Sequence, residues 1–403
     1  MVVYVGRYYH RLSGDATGSL LALMFSRLYL HIPWCVAKCG YCAFTSRQGA
    51  AQDLADTTEL LLQEMELAAG QFRAEVPLLS LYLGGGTPSL LTPEQVERLI
   101  TRSCQLWGHD PAIEITLEAN PGTVSRATLA GFHQAGVNRI SLGVQSFSDD
   151  MLALLGRVHS AQQARDAVVI ARAVGFGSIG LDLICGLPGQ SLADWRQQLC
   201  IAVGLEPDHL SIYNLTIEDA TPFSHRYPVG TLGLPDDDCT ATMLELADTA
   251  LSTAGFEHYE LANYARPGKR SGHNCGYWRR DGYLGMGPSA HSFLRDGWGV
   301  RFCNPDRYEA WAASIRGGQR SVQDITRLTR EDACAEAIFL GLRLSEGVCF
   351  DRFEQQFGER LEIVRRDQVL KLQKAGLLDC GLERMALTRK GMLLSNQVFV
   401  EFV

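Results

Sequence analysis

The 403-residue sequence contains no run of about eighteen apolar residues, so it encodes no ordinary bilayer-spanning helix. An excess of basic charge is missing too. The formal net charge is −8, which argues against non-specific nucleic-acid binding, where cationic side chains replace the counterions of phosphate. The 12 cysteines are too few and too scattered for a disulfide scaffold in a chain of this length. Cys104, Cys185, Cys200, Cys334 and Cys349 lie in apolar runs and read as reduced core residues, which points to a reducing cytoplasm. No second C-x2-C pair follows the cysteine-rich loop near the N-terminus, so a zinc ribbon is not expected. A signal peptide is not expected either, because the apolar stretch Leu20–Phe25 is too short and poorly flanked. Residues 1–24 show no clear period and are expected to form a poorly ordered extension, with translation beginning near Met24.

What is present is one dense loop, His31-Ile32-Pro33-Trp34-Cys35-Val36-Ala37-Lys38-Cys39-Gly40-Tyr41-Cys42, with C-x3-C-x2-C spacing. A 4Fe–4S cluster usually takes four cysteines. Three leave one iron free to meet a substrate or cofactor, as catalytic zinc sites keep an open position. A disulfide would strand an odd thiol, and loop cysteines this close pair poorly. Zinc would need a fourth ligand, for which His31 is the nearest candidate.

The hydrophobic content of 46% suffices for one large core and a smaller one. Short apolar runs alternate with segments of i, i+3, i+4 spacing. The runs are Leu28–Ile32, Leu79–Leu83, Ile113–Leu117, Arg139–Val144, Ile179–Ile184 and His209–Leu215. The helical segments are Leu54–Ala69, Pro93–Leu106, Val124–Ala135, Ala161–Val174 and Leu192–Val203. The alternation predicts an α/β fold with a parallel sheet of right-handed units. Six units are fewer than the eight of a closed barrel, so an open, partial (β/α)6 barrel is expected.

Polar and glycine-rich features gather where the strands should end, the active face of such barrels. The cysteines follow the first strand, and Gly84-Gly85-Gly86-Thr87 the second. Glu118 follows the third, Gln145 the fourth with Arg157 soon after, Asp182 lies within the fifth, and Thr216 follows the sixth. Each has a plain alternative: a tight turn for the glycines, a solvated carboxylate for Glu118, a surface charge for Arg157. Asp182 is sharper, because it interrupts an otherwise apolar run and a buried carboxylate needs partners. Together they describe a pocket for an amino acid joined to a ribose.

The C-x3-C-x2-C loop, with Tyr41 before its last cysteine, resembles the signature of radical S-adenosylmethionine (radical-SAM) enzymes. Beyond Met24, nearly the whole sequence resembles the coproporphyrinogen-oxidase-like branch of that superfamily, and within it the heme-chaperone family HemW. The phrases that carry this are Leu30-His31-Ile32-Pro33-Trp34-Cys35, Leu83-Gly84-Gly85-Gly86-Thr87-Pro88-Ser89, Gly143-Val144-Gln145-Ser146-Phe147, Asp182-Leu183-Ile184-Cys185-Gly186-Leu187-Pro188-Gly189-Gln190, Tyr259-Glu260-Leu261-Ala262-Asn263-Tyr264-Ala265 and His273-Asn274-Cys275-Gly276-Tyr277-Trp278.

The resemblance implies that Cys35, Cys39 and Cys42 ligate a 4Fe–4S cluster. It also implies that Tyr29, Tyr41, Gly85, Gly86, Thr87, Glu118, Gln145, Arg157, Asp182 and Thr216 contact S-adenosylmethionine (SAM). The related oxidase holds up to two SAM molecules, so this set is large for one. It also carries a fourth cysteine two residues after the third, where this chain has Phe44; the departure favours the chaperone branch. His273-Asn274-x-x-Tyr277-Trp278 resembles the chaperones' heme motif and implies a heme contact at His273. The alternative is that His273 and Asn274 bond a loop while Tyr277 and Trp278 dock two domains. Ser271 excludes the thiolate that some members carry two residues before this histidine. His291 is a second heme candidate, with a satisfied loop histidine as its alternative.

Expected segments are residues 1–24, a radical-SAM barrel over 25–230, a barrel-completing piece over 231–323 and a small C-terminal domain over 324–403. In the last, helical patterns over Arg330–Leu344, Phe350–Phe357 and Leu361–Ala375 precede a hairpin around Gly381 and a helix near Arg389–Phe399, which resembles a winged helix. Arg365, Arg366, Lys371 and Lys374 read as a solvated face or a lid over the barrel rather than a DNA surface. The implied function is a cytoplasmic carrier that binds cluster, SAM and heme and delivers heme to acceptor hemoproteins, respiratory enzymes at the membrane among them. A homodimer is among the assemblies considered. The alternative is oxygen-independent coproporphyrinogen III oxidation.

Overall fold

The structure is a computed structural model describing residues 25–74, 76–219, 221–228 and 233–403. The expected extension over 1–24, the start near Met24 and the boundary between 230 and 231 lie outside the described residues. The six apolar runs become parallel strands β1 (Arg27–Ile32), β2 (Leu78–Gly85), β3 (His109–Ala119), β4 (Arg139–Gln145), β5 (Ser178–Cys185) and β6 (His209–Asn214). They pair in chain order. Helices Ala51–Ala69, Pro93–Trp107, Arg126–Gln134, Ala161–Val174 and Leu192–Gly204 stand between them.

Local chemistry marks the helix starts. Thr92, Ser160 and Ser191 each accept a hydrogen bond from the third helical amide, and the side chain there bonds back. Pro93 opens its helix, where an amide hydrogen would be unpaired anyway. The apolar helix faces meet Leu28, Leu30, Leu81, Leu83, Leu117, Leu142 and Leu181 on the outer side of the sheet. Each such leucine, removed wholly from water, contributes roughly 1.5–3 kcal/mol.

Both edges of the sheet are extended by later chain. β7 (Glu257–Glu260) and β8 (Asn263–Ala265) lie beyond β6. β9 (Tyr283–Met286) runs parallel to β1, followed by antiparallel β10 (His291–Leu294), β11 (Val300–Cys303) and β12 (Gln323–Arg327). The twelve strands run in the order β12-β11-β10-β9-β1-β2-β3-β4-β5-β6-β8-β7, and no ladder among the described residues joins the two ends. The six expected parallel strands thus gain a seventh, β9. Its four residues, Tyr-Leu-Gly-Met, are too short and glycine-broken to read as an apolar run.

The inner face is different in kind. Tyr29, Tyr82, Glu118, Gly143, Asp182 and Tyr213, one from each of the six strands, are half-buried among mostly buried neighbours. They line the concave side of the barrel.

The C-terminal unit has its own core, built on Ile338, Phe350, Phe353, Phe357, Leu361, Val369, Leu372 and Met385. Its helices begin with Arg330–Gly341 and Phe350–Phe357, and its sheet pairs Val348–Cys349 and Leu378–Cys380 with Arg384–Leu387. It joins the barrel through a small cluster that includes Tyr259, Cys275, Trp278, Phe339, Leu340 and Leu344. Beside that cluster Glu336, 2% exposed, takes Arg280 and Arg301 from the barrel at 3.2 and 2.6 Å. Among the described residues no helix is long and apolar enough to cross a membrane.

Candidate functional site

The three cysteines sit on a pinned excursion after β1. Trp34 and Cys35 pair in parallel with Arg47 and Gln48, which closes the base of the loop. His31 holds its far limb. One ring nitrogen meets the Thr45 carbonyl at 2.8 Å and the other the Tyr29 hydroxyl at 3.0 Å. Burial lowers the pKa of this ring to about 4, against the Thr45 contact, so it is neutral. With both nitrogens engaged, His31 is the loop's anchor rather than a fourth zinc ligand. Among the described residues no three His, Cys, Asp or Glu side chains close around a single ion.

The far side of the loop rests on the barrel. The Gly40 amide donates to the Leu155 carbonyl at 3.3 Å, the Phe223 amide donates to the Gly40 carbonyl at 3.0 Å, and the Tyr41 ring meets Phe223 edge-on. All three thiols are half-buried and free of disulfides. Burial raises the Cys42 pKa, the Phe44 amide opposes this, and Cys39 and Cys35 raise it further, so the three sulfurs feel one another. A cluster carrying positive iron would relieve that repulsion, and the donor set fits it.

Arg157 is not the surface charge of the plain reading. Its Nη2 donates to the Gly143 carbonyl at 2.7 Å, its Nη1 points at the Cys39 sulfur at 3.5 Å, and its Nε is buried without a partner among the described residues. A cation beside the thiols with a spare buried donor is what a ligand carboxylate would complete. Gln145 ends β4 at φ 64°, an uncommon backbone for a residue with a side chain. Its amide and Arg157 together fill the space in which a Cβ at Gly143 would lie.

Packing by itself demands the glycine turn. A Cβ on Gly84 would strike Tyr29 and Tyr82, one on Gly85 the His31 ring, and one on Gly86 the backbone of Ile32 and Trp34. These glycines let β2 close against the cysteine loop. Thr87 follows them, buried.

Two carboxylates face the lumen. Glu118 accepts from the Tyr82 hydroxyl at 2.8 Å and the Gly85 amide at 3.0 Å. Asp182 accepts from the Ser141 hydroxyl at 3.3 Å. Burial raises the pKa of both; hydrogen bonds from Tyr82 to Glu118, and from Ser211 and Ser141 to Asp182, oppose it. Tyr29 stacks on Tyr82. The structure therefore brings Tyr29, Tyr41, Gly85, Gly86, Glu118, Gln145, Arg157 and Asp182 to the cysteine end and inner face. Thr216 lies past β6, exposed. Sequence reading missed Tyr82, Ser141, Tyr213 and His159. The last bridges the Val144 carbonyl and Asn120 at 3.1 and 3.0 Å, tying the ends of β3 and β4 together. Tyr82 was legible as the polar break in its apolar strand.

His273 lies elsewhere. Its helix, Gly272–Trp278, plugs the opposite end of the barrel, where the strands begin. Glu114 of β3 accepts from the amides of Gly272 and His273, both at 2.9 Å. The His273 ring meets Ser80 of β2 at 2.8 Å and the Tyr277 hydroxyl at 2.7 Å, and it is 1% exposed. Trp278 packs with Phe339 and Leu340 and carries the Arg343 guanidinium 4.3 Å from its ring centre. Both His273 ring nitrogens are engaged and the ring is buried, so the heme contact expected there would have to displace Ser80 or Tyr277 from it. The docking alternative describes Trp278.

Comparison with known proteins agrees with this architecture. The radical SAM superfamily model matches residues 29–198, and the HemN C-terminal domain model matches residues 328–394. The chain is 34% identical to the heme chaperone HemW of Lactococcus lactis, over 93% of this chain and 96% of that protein. It is 37% identical to the heme chaperone HemW of Mycobacterium tuberculosis, over 92% of this chain and 93% of that protein. Among solved structures, the radical SAM coproporphyrinogen III oxidase HemN of Escherichia coli superposes with a TM-score of 0.82, covering 94% of this chain and 90% of that one. At 24% identity that likeness concerns the fold.

Proposed function

Since the chain belongs to the HemW heme-chaperone family of the radical SAM superfamily, we propose that it takes heme as cargo and delivers it to acceptor hemoproteins. In this reading Cys35, Cys39 and Cys42 hold a 4Fe–4S cluster and SAM lies beside it. The observation that carries the reading is the three-thiol loop at the strand ends, flanked by the half-buried Arg157 with its buried, unpartnered Nε. Arg157 would hold the SAM carboxylate, Glu118 its ammonium and Asp182 its ribose hydroxyls. Tyr29, Tyr41, Gly85, Gly86, Thr87, Gln145 and Thr216 would complete the contacts. When bound, the reduced cluster supplies an electron to SAM. The chain's own contribution is to seat and orient the ligand and to exclude water with the Tyr29, Tyr82 and Tyr213 wall.

Phe44, 41% exposed, stands where the oxidase branch carries a further cysteine, which favours transfer of heme over oxidation of coproporphyrinogen III. Acceptors at the respiratory membrane, a cytoplasmic location and a homodimer belong to the same proposal. The test is an anaerobic pair of assays on cluster-loaded protein. Heme should bind stably, while coproporphyrinogen III with SAM and a strong reductant should give no protoporphyrinogen IX. Formation of that product at enzymatic rates would overturn the chaperone reading in favour of the oxidase.

A further inference from the structure

A row of aromatic rings runs from beneath the cysteine loop to the floor of the barrel. Tyr29 and Tyr82 face each other in register across β1 and β2, stacked with ring centres 6.1 Å apart. The His273 ring lies 5.0 Å from Tyr82, and the Tyr277 ring 4.9 Å from His273. Tyr29 begins the row at the cysteine end, where its hydroxyl meets His31, and Tyr277 ends it on the plug helix.

Each tyrosine in the row is paired with a proton acceptor. The Thr45 carbonyl can only accept, so the neutral His31 ring keeps its hydrogen on Nε2 and receives the Tyr29 hydroxyl on Nδ1 at 3.0 Å. The Tyr82 hydroxyl donates to Glu118 Oε1 at 2.8 Å, and the other carboxylate oxygen accepts from the Gly85 amide. The Tyr277 hydroxyl lies 2.7 Å from Nε2 of His273, a ring that burial and then Arg27 hold neutral. In the tautomer that donates its Nδ1 hydrogen to Ser80, Nε2 accepts from Tyr277. All three separations lie within the reach over which a base takes a proton. Burial also holds the three phenols protonated, with pKa values well above the ordinary one, so each has a hydrogen to give.

The neighbouring rings lack this pairing. Tyr283, with its ring centre 4.5 Å from that of Tyr277, turns its hydroxyl to the Arg301 guanidinium at 3.5 Å. Trp278, 6.4 Å from Tyr277, has a buried Nε1 without a partner among the described residues and the Arg343 guanidinium 4.3 Å from its ring centre. A cation beside a ring opposes the loss of an electron from it. A ring with no base beside it also has nowhere to shed its proton. The row therefore stops at Tyr277.

We infer that Tyr29, Tyr82 and Tyr277 form a relay that carries a one-electron oxidising equivalent from the cysteine end of the barrel to its floor, with a base beside each phenol to take its proton. The inference rests on the reading that places cluster and SAM at the open end, because the oxidant is a carbon-centred radical, the class that one-electron cleavage of a sulfonium releases. Such a radical takes the phenolic hydrogen of Tyr29: a C–H bond forms, the weaker O–H bond breaks, and a phenoxyl remains. Tyr82 reduces that phenoxyl by one electron and passes its own proton to Glu118, while water at the open end returns a proton to Tyr29. Tyr277 then reduces Tyr82, which recovers its proton from Glu118, and the Tyr277 proton goes to His273. The oxidising equivalent rests on Tyr277 until a dissolved thiolate supplies one electron, becoming a thiyl radical, and His273 returns the proton. The relay clears the binding pocket of a radical that no substrate has consumed.

The test uses full-length, cluster-loaded protein under anaerobic conditions, with iron content and melting temperature checked in every variant. Two oxidants are applied: SAM with a strong reductant, and a photoexcited ruthenium polypyridyl with a sacrificial electron acceptor, which needs no SAM. Samples frozen at successive times are read by electron paramagnetic resonance, and ring-deuterated tyrosine identifies the phenoxyl. Either oxidant should give a phenoxyl that settles on Tyr277, recognised as the signal lost in Tyr277→Phe. Tyr82→Phe should lose that signal too, although Tyr277 itself is intact. His273→Gln, which bonds the phenol without taking its proton, should diminish it, and Tyr283→Phe should leave it unchanged. An undiminished Tyr277 signal in folded Tyr82→Phe overturns the relay, as does the absence of any phenoxyl under both oxidants. A Tyr277 phenoxyl formed under light but not with SAM upholds the relay and overturns the SAM reading of the open end.

Discussion

At the end of the barrel where the strands finish, Arg157 keeps a buried Nε without a partner, Gln145 sits in a left-handed backbone, and three thiols stand half-exposed on a loop. At the end where the strands begin, a seven-residue helix fills the opening, His273 bonds Ser80 and Tyr277, Glu114 takes the helix's first amides, and Arg27 reaches Ser80 and Asp281 while its Nε stays buried without a partner. Both ends are rich in histidine, arginine and carboxylate, so composition does not tell them apart. The difference lies in which groups are left unmet: beside the thiols it is the cation Arg157, next to Gln145 at φ 64°, whereas at the floor the His273 ring has both nitrogens engaged even though Arg27 Nε and Trp278 Nε1 are buried there without a partner among the described residues.

The largest effect that would break this contrast is at the cysteines. Cys35→Ser, Cys39→Ser and Cys42→Ser are each expected to abolish the thiolate-to-iron absorption of anaerobically reconstituted protein, which should otherwise hold about four irons per chain. Cys275→Ser, at the floor, should not. A full cluster in any of the first three removes the open end from the comparison.

SAM binding comes next. Arg157→Ala and Asp182→Ala should each weaken it by about 1.5–3 kcal/mol, because a charged hydrogen-bonding group is withdrawn from the ligand. Equilibrium titration of the cluster-loaded protein measures this, and unchanged affinity in both would place the pocket elsewhere.

The floor is sharpened by Gly276→Ala. A Cβ there would lie 1.8 Å from the Arg27 Nε, whose guanidinium is held by Asp281 and Ser80. Urea unfolding should show a loss of about 1–3 kcal/mol from overpacking, with cluster loading preserved. If stability is unchanged, the plug is looser than its contacts imply.

The smallest effect has a sign that separates the two ends. Burial raises the Asp182 pKa in the folded chain above its unfolded value, with Ser211 and Ser141 opposing. Such a group stabilises the fold most when protonated, below its unfolded pKa, and that contribution is lost as pH rises through the raised value. Asp182→Asn is therefore expected to stabilise the ligand-free protein at neutral pH by about 1 kcal/mol while impairing SAM binding. Thermal melts at pH 7 and below check it. A less stable variant at pH 7 would mean that the carboxylate's partners outweigh its desolvation.

Much of this was readable in order along the chain. The six apolar runs carried the parallel strands because buried parallel strands are continuously hydrophobic, and capping residues such as Thr92 and Ser191 marked helix starts. The cysteine spacing named its own loop, since ligands that close in sequence need no fold to bring them near. Phe350–Phe357 was legible to the residue because its aromatic spacing is helical. Strand β9 was not, because four residues hold too little pattern.

What the sequence determined by itself was therefore local: the alternation of strand and helix, the three-thiol loop, and the carboxylates breaking apolar runs. Only the tertiary structure decided which end of the barrel each motif reached. His273 and His291 lie eighteen residues apart in the chain, yet the helix between Gly272 and Trp278 seals one end while the return from β9 carries His291 to the other. A sequence pattern fixes what a side chain can bond. Which partners arrive first, and so whether its nitrogens are left open, depends on chain segments such as Ser80 and Glu64, 193 residues from His273 and 223 from Gly287, that no local pattern can see.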